Sequence, residues 1–301
     1  MNTDDISRAL EAYKDLLSPD DYLRLERHKG LWEIQNRCRV KAAVESDHSL
    51  PNLDEAEQWY WQEKPLLALA PVNVDADLFI ETLGEIAAYL QEHGGLAKEV
   101  ATCLQSFDWR ALVEQTDVSL LGSTPFAYVE DFCARAHEMS NNELMGVLSS
   151  LVVGLAVRPM LEPASSALIT TLVERVKEGG LSNTKPLRCP FCGGAAVVAC
   201  VGETMASQGE GRRLYCNICS ATWEFERIRC GRCGSCNQGK LHYLHIKGDE
   251  AHRLHTCDEC GSYLRTVFVE HLNAPFVFEV EDLVMLPLDH IAREEGYRSL
   301  Q

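Results

Sequence analysis

The sequence predicts an α+β multidomain chain, with an all-helical N-terminal bundle followed by two tandem four-cysteine subdomains that carry short β-strands. Three observations lead there. Before residue 185 apolar residues recur at steps of three and four, without the period-two alternation of a half-buried strand. Beyond a Gly- and Pro-containing stretch, Gly179 to Arg188, the texture changes to Cys-Gly knuckles separated by short aromatic and β-branched runs. Most telling, Cys189, Cys192, Cys216 and Cys219 each recur 41 residues later, as Cys230, Cys233, Cys257 and Cys260. The expected boundaries are 1–184 for the bundle, 185–225 for the first four-cysteine subdomain, and 226–301 for the second with a C-terminal helix.

Within the bundle, Ser18-Pro19-Asp20-Asp21 is a start signal: a Ser cap, Pro at the first helical position, then acids. A helix is expected from there to about Glu45. Residues 48–74 are rich in Pro and Asn and read as a break, and they contain Trp59-Tyr60-Trp61. These aromatics suit either packing between the two halves or a partner anchor. Phe79, Leu83, Ile86 and Leu90 form one helical face that ends at Gly94-Gly95. Leu96, Val100 and Leu104 mark the next helix. Thr124-Pro125 opens another, with Phe126, Val129, Phe132 and Ala136 expected inward. Ser140 should cap a central apolar helix that Pro159 ends, and its run from Leu144 to Val157 is too short to span a bilayer. Leu168, Ile169, Leu172, Val173 and Val176 give the last helix an inner face, stopped at Gly179-Gly180.

In the second half, Thr222 to Glu226 and Thr266 to Val269 read as strands, and Asp282 to Tyr297 as helix delayed or kinked by Pro287.

Each repeated unit is C-x2-C, 23 residues, C-x2-C. A C-x2-C turn sets two sulfurs on one side of a tight loop, and two such turns brought together by strands make a tetrahedral cage of four sulfurs. The residue after each knuckle is Gly193, Ser220, Gly234 or Gly261, small enough to let the backbone turn back. Buried thiolate charge needs an offset, and Arg188, Arg227, Arg229 and Arg232 lie beside the knuckles. Geometry suits zinc and iron alike. With four positions filled by sulfur, no position is left for substrate or activated water, so the chain is not expected to be an enzyme. Cys200 and Cys236 have no role in this scheme. Cys38, Cys103 and Cys133 fall in helical patterns and read as small core residues. His242, His245, His252 and His255 form two H-x2-H pairs, read as surface residues of a β-region rather than as a third metal site.

Charge narrows the function classes. The formal net charge is −17, and it is lopsided: 13 Lys and Arg against 15 Asp and Glu after residue 184, and 15 against 30 before it. Phosphate neutralisation needs a basic surplus, so neither nucleic acid nor an anionic membrane is an expected partner. The opening Met1-Asn2-Thr3-Asp4-Asp5 is acidic and no apolar stretch follows, so no secretory leader is expected, and paired cysteines then point to metal rather than disulfide.

Residues 188–297 resemble the formate dehydrogenase accessory protein family, FdhE. The matching stretches are CPFCGG, LYCNICSATWEFERIRCGRC, GKLHYLHI, HTCDECGSYLRT and EEGY, in that order. The resemblance implies a cytoplasmic accessory protein that contacts the catalytic subunit of a respiratory formate dehydrogenase during maturation, before export. It also implies tandem rubredoxin-like or zinc-ribbon subdomains with two iron ions in tetrathiolate sites, zinc being the alternative. Carried over by position, the ligands are Cys189, Cys192, Cys216, Cys219, Cys230, Cys233, Cys257 and Cys260. No membrane insertion and no small-molecule substrate are expected. The competing readings are a rubredoxin-like electron carrier, which a colourless zinc protein would exclude, and a zinc-ribbon nucleic-acid protein, which the charge opposes.

Overall fold

Short polar side chains begin the helices by accepting from amides that lack an intrahelical partner. Asn2 accepts from the Asp4 N–H at the start of α1 (Thr3–Tyr13). Ser18 Oγ accepts from the Asp21 N–H (3.2 Å) and donates to the Asp21 carboxylate (2.6 Å), opening α2 (Pro19–Glu45) as expected. The structure, a computed structural model, describes residues 2–45, 51–178, 184–203 and 210–298.

The stretch expected to be a break holds two helices, α3 (Leu53–Trp61) and α4 (Leu66–Leu69). Its prolines stand before each helix rather than inside it, and Asn52 caps α3 by accepting from Asp54 and Glu55. On α3, Tyr60 is buried and Trp59 and Trp61 are half-buried against the core, with the Lys185 ammonium 5.1 Å from the Trp61 ring. This is packing between the two halves.

Next come α5 (Ala76–His93), α6 (Lys98–Ser106), α7 (Trp109–Val113) and α8 (Pro125–Ser140). Phe79, Leu83, Ile86 and Leu90 of α5 are buried as the spacing requires. On α8 the inward set is Tyr128, Phe132 and Ala136, whereas Phe126 is 47% exposed. Position 126 lies off the face made by Pro125, Tyr128, Phe132 and Ala136, which are spaced at three and four residues.

Pro159 does not end the central helix. A single α9 (Glu143–Glu178) runs through Pro159 and Pro163. Proline deprives the carbonyl four residues earlier of its donor, at a cost of ~3 kcal/mol. Here that carbonyl belongs to Leu155, and Gln35 Nε2 of α2 donates to it at 2.9 Å. Ala156, Val157, Met160, Leu161 and Ala164 flank the prolines and are all buried, and large side chains contribute ~1.5–3 kcal/mol each when buried. The stretch Glu143–Leu172 is long and apolar enough to cross a membrane, but 61% of its most apolar window is covered by the rest of the fold. Of the expected inner face, Leu168, Ile169 and Leu172 are buried, while the side chains of Val173 and Val176 and the Gly179-Gly180 stop lie outside the described residues.

Among the described residues six strands follow: β1 (Val198–Glu203), β2 (Glu210–Tyr215), β3 (Thr222–Phe225), β4 (Leu241–Leu244), β5 (His252–Cys257) and β6 (Ser262–Phe268). They form one sheet, ordered β3-β2-β1-β6-β5-β4. Each repeat unit is an antiparallel triplet, and the two triplets join through parallel pairing of β1 with β6. The register repeats with the sequence. Leu214↔Trp223 and Tyr215↔Thr222 recur 41 residues on as His255↔Leu264 and Thr256↔Tyr263. Leu214, Trp223, Phe225 and Leu264 share a core with the bundle. From the opposite faces of their strands, Val198, Leu254, Tyr263 and Val267 pack on Met285, Leu288 and Ala292. Those last residues belong to α10 (Phe278–Val284) and α11 (Leu288–Glu294), or to the turn between them where Pro287 splits the tail.

His252 corrects the expectation of a surface histidine. It is buried, its Nδ1 2.8 Å from Asp249 and its Nε2 2.9 Å from Glu281, and Tyr13 of α1 donates to the same Glu281 at 2.8 Å. Burial disfavours the imidazolium, but its hydrogen bonds to Asp249 and Glu281 outweigh that and lift the pKa from 6.5 to about 9. A proton held more tightly in the fold stabilises it fully below pH 6.5, and the contribution fades as pH climbs to about 9. Urea unfolding should therefore lose on the order of 3 kcal/mol across that window. The loss should be absent in His252→Gln; an equal slope in that variant would assign it elsewhere.

Candidate metal centres

The eight cysteines picked out by spacing gather in two groups of four, each with all sulfurs within 4.8 Å of one another. In the first, Cys189 Sγ lies 3.6 Å from Cys219 Sγ and Cys192 Sγ lies 3.5 Å from Cys216 Sγ. In the second, Cys230 to Cys260 and Cys233 to Cys257 are each 3.9 Å. A tetrahedron built on metal–sulfur bonds of ~2.3 Å has edges of ~3.8 Å, so both groups fit a four-coordinate ion. A disulfide needs sulfurs at ~2.05 Å, and all thirteen cysteines are free. The two clusters can hold metal ions, and the donor set is the soft one that zinc and iron take.

The knuckles are made by backbone rather than by side chains. Cys189 N–H donates to Gly194 O (2.8 Å) and Gly193 N–H returns to Cys189 O (2.9 Å). Cys230 with Ser235 and Gly234 with Cys230 repeat that pair at 2.8 and 3.0 Å. Gly193, Gly234 and Gly261 take φ of +81°, +79° and +64°, and Ser220 takes +60°. A left-handed residue at each turn is what the small residues after the knuckles supply. The flanking arginines are engaged with backbone: Arg232 Nε and Nη1 donate to Tyr263 O and Ala196 O, both at 2.8 Å, and Arg229 Nη1 donates to Lys185 O at 2.7 Å. The Arg232 amide also points at Cys230 Sγ, 3.4 Å away.

No protein-family model matches the chain. Over 111 residues, 36% of its length, it is 37% identical to "Protein FdhE" of Escherichia coli O1:K1 and to its counterparts in Shigella boydii serotype 18 and Escherichia fergusonii. The chain spans 34% of the length of these curated relatives. In three dimensions it is similar to the crystal structure of the FdhE protein from Pseudomonas aeruginosa, with a TM-score of 0.56 and 21% identity, covering 99% of this chain and 94% of that one. The sequence likeness covers a stretch as long as the cysteine-bearing third, and the structural likeness shows the fold. All eight cysteines lie in the stretches that carry the FdhE resemblance.

The two clusters differ in their surroundings. The cysteines of the first are all buried and belong to the core shared with the bundle. The amides of Leu66 and Leu67 in α4 donate to Pro190 O and Phe191 O inside the first knuckle, both at 2.9 Å. Ser220 Oγ, after the second knuckle, donates to Glu162 Oε2 of α9 at 3.0 Å. In the second cluster Cys233 is exposed and Cys260 half-exposed. Away from the clusters, Cys200 is buried in β1 and Cys236 is exposed. Cys38 is buried in α2, and Cys103 and Cys133 are half-buried against the core. His242 and His245 are exposed and His255 is half-buried; no third cluster forms among the described residues.

Gly194 is a site residue that spacing did not single out. A Cβ there would sit 2.9 Å from the Phe126 ring, 3.2 Å from Cys216 Sγ and 3.4 Å from Cys192 Sγ. The signal was present as the second glycine of CPFCGG. Gly194→Ala should lower metal at the first cluster with the second retained, read as ions per chain by elemental analysis. Chelator should strip the exposed second cluster first, and Cys233→Ser should lose that ion while leaving the first in place. Simultaneous loss of both ions in Cys233→Ser would contradict independent sites.

Proposed function

We propose that this chain is a non-enzymatic accessory protein for a formate dehydrogenase, binding the catalytic subunit in the cytoplasm during maturation and before export. The observation that carries this reading is the 37% identity to FdhE proteins across a stretch as long as the metal-binding third of the chain. The shared fold over the remaining length adds to it. The ligands are Cys189, Cys192, Cys216 and Cys219 for one ion and Cys230, Cys233, Cys257 and Cys260 for the other, with iron as the native metal and zinc as its substitute. Closed tetrathiolate cages have no position for substrate, which favours scaffolding over catalysis.

Ferric iron in such a cage supplies one-electron redox chemistry, whereas zinc supplies structure. The exposure of Cys233 favours a redox-active second site as a secondary role, because electron exchange needs close approach to a sulfur. The chain's own part is to hold the ion: the left-handed turns fix the sulfurs, and the Arg232 amide lies towards one of them.

In a strain carrying tagged protein, the formate dehydrogenase catalytic subunit should co-purify, and deletion should abolish formate oxidation by that enzyme. Normal activity in the deletion strain would sink the assignment. Protein purified without air should show visible thiolate-to-iron absorption that a mild reductant bleaches; a colourless protein with two zinc ions would end the redox part.

A further inference from the structure

One basic pocket lies beside the second cage, with Cys230 among its lining residues. It is a cavity of about 160 Å³ between the loop 227–232 and strands β4 to β6, with Arg212 of β2 at its wall. None of the residues lining it is acidic, while Arg212, Arg227, Arg229 and Arg232 all contribute to it. Arg212 is 2% exposed. Its Nη1 donates to Arg229 O at 2.9 Å, but its Nε and Nη2 have no hydrogen-bond partner among the described residues. Those two nitrogens form one edge of the guanidinium, the edge that grips a carboxylate or phosphate with two parallel bonds. Burying such donors without a partner is unfavourable, more so on a charged group.

The surroundings enclose this edge without satisfying it. The Phe225 ring lies 5.7 Å from the Arg212 guanidinium carbon on one side, and Gly231 faces Nη2 without a side chain to cover it. A Cβ at Gly231 would come within 3.6 Å of Nη2 and 2.6 Å of Leu264. His255 shares the wall. Of the nearby carboxylates, Glu226 is engaged by Arg229 at 3.1 Å.

We propose that this pocket binds a small oxyanion, a phosphate, sulfate or carboxylate group, through the Nε–Nη2 edge of Arg212. Arg227 and His255 complete the wall. Charge balance for the second cluster is the competing use of these arginines. It requires only proximity to Cys230 and no directed bond, so it does not account for two adjacent buried donors left without a partner beside the cavity. The inference stands whichever metal fills the cages and whichever partner the chain serves.

The test uses the full metal-loaded chain and titration calorimetry with inorganic phosphate, sulfate and acetate at ionic strength fixed with chloride. Saturable binding of at least one of them is expected, about tenfold weaker in Arg212→Lys, which keeps the charge and loses the fork. Preference for phosphate or sulfate over acetate would identify a tetrahedral ligand, and the reverse a carboxylate; either supports the site. Where Arg212→Lys fails to fold or to keep both ions, Arg227→Gln at the same pocket takes its place, with a several-fold loss expected. No saturable binding by any of the three, or affinity unchanged in the variant that keeps its metal, overturns the proposal.

Discussion

Four sulfurs without solvent access sit where the helical bundle meets the sheet, and the arrangement of both halves follows from keeping them together. The first knuckle is gripped by amides from α4, the second is tied to α9 through Ser220 and Glu162, and Trp223 of the strand that follows donates to Pro186 O at 2.8 Å. Cys189, Cys192, Cys216 and Cys219 are therefore part of the same core as Leu66, Leu67 and Leu161. Thiolates in such a place are unfavourable unless an ion and directed N–H groups offset them. The bundle and the first cluster are consequently one cooperative structure rather than two modules on a tether.

The same joint contains a buried ionic chain. Arg158 of α9 reaches Glu279 of α10 and lies 3.5 Å from Glu162, which in turn faces Arg39 of α2 at 3.6 Å. Burial works against the Arg158 charge, but Tyr215, Glu279 and Glu162 outweigh it and keep the guanidinium protonated. Removing one member would strand its partners, which costs more than the intact network contributes. Buried charges of this kind fix geometry more than they add stability. Here they fix the angle at which α9 presents Glu162 to the Ser220 turn.

Much of this was legible in the sequence, for reasons that separate cleanly. The cysteines were found because metal geometry imposes a spacing and duplication repeats it. The helix start at Ser18 was found because its cap is local, and the one at Thr124 because Pro125 stands at the first helical position. The failures were tertiary. Pro159 looks like a stop until Gln35, more than a hundred residues away, supplies the missing donor. His252 looks like a surface residue until Glu281 and Tyr13 close over it from both ends of the chain. Joining of the two triplets through β1 and β6 leaves no mark in either repeat, because strand pairing is written in backbone. Gly194 and Arg212 belong to the same class, since their importance lies in what approaches them.

The parallel seam between β1 and β6 has a geometric consequence for the two copies. A joint built on a two-fold axis would have placed both copies in equivalent settings. This one is closer to a translation: the first strand of one copy meets the third strand of the other, and nothing returns the favour. Each copy thus has a neighbour on a different side, and identical sequences would still have found themselves in unlike places. The inequality of a sealed four-sulfur cage and an accessible one follows from the way the two halves are joined.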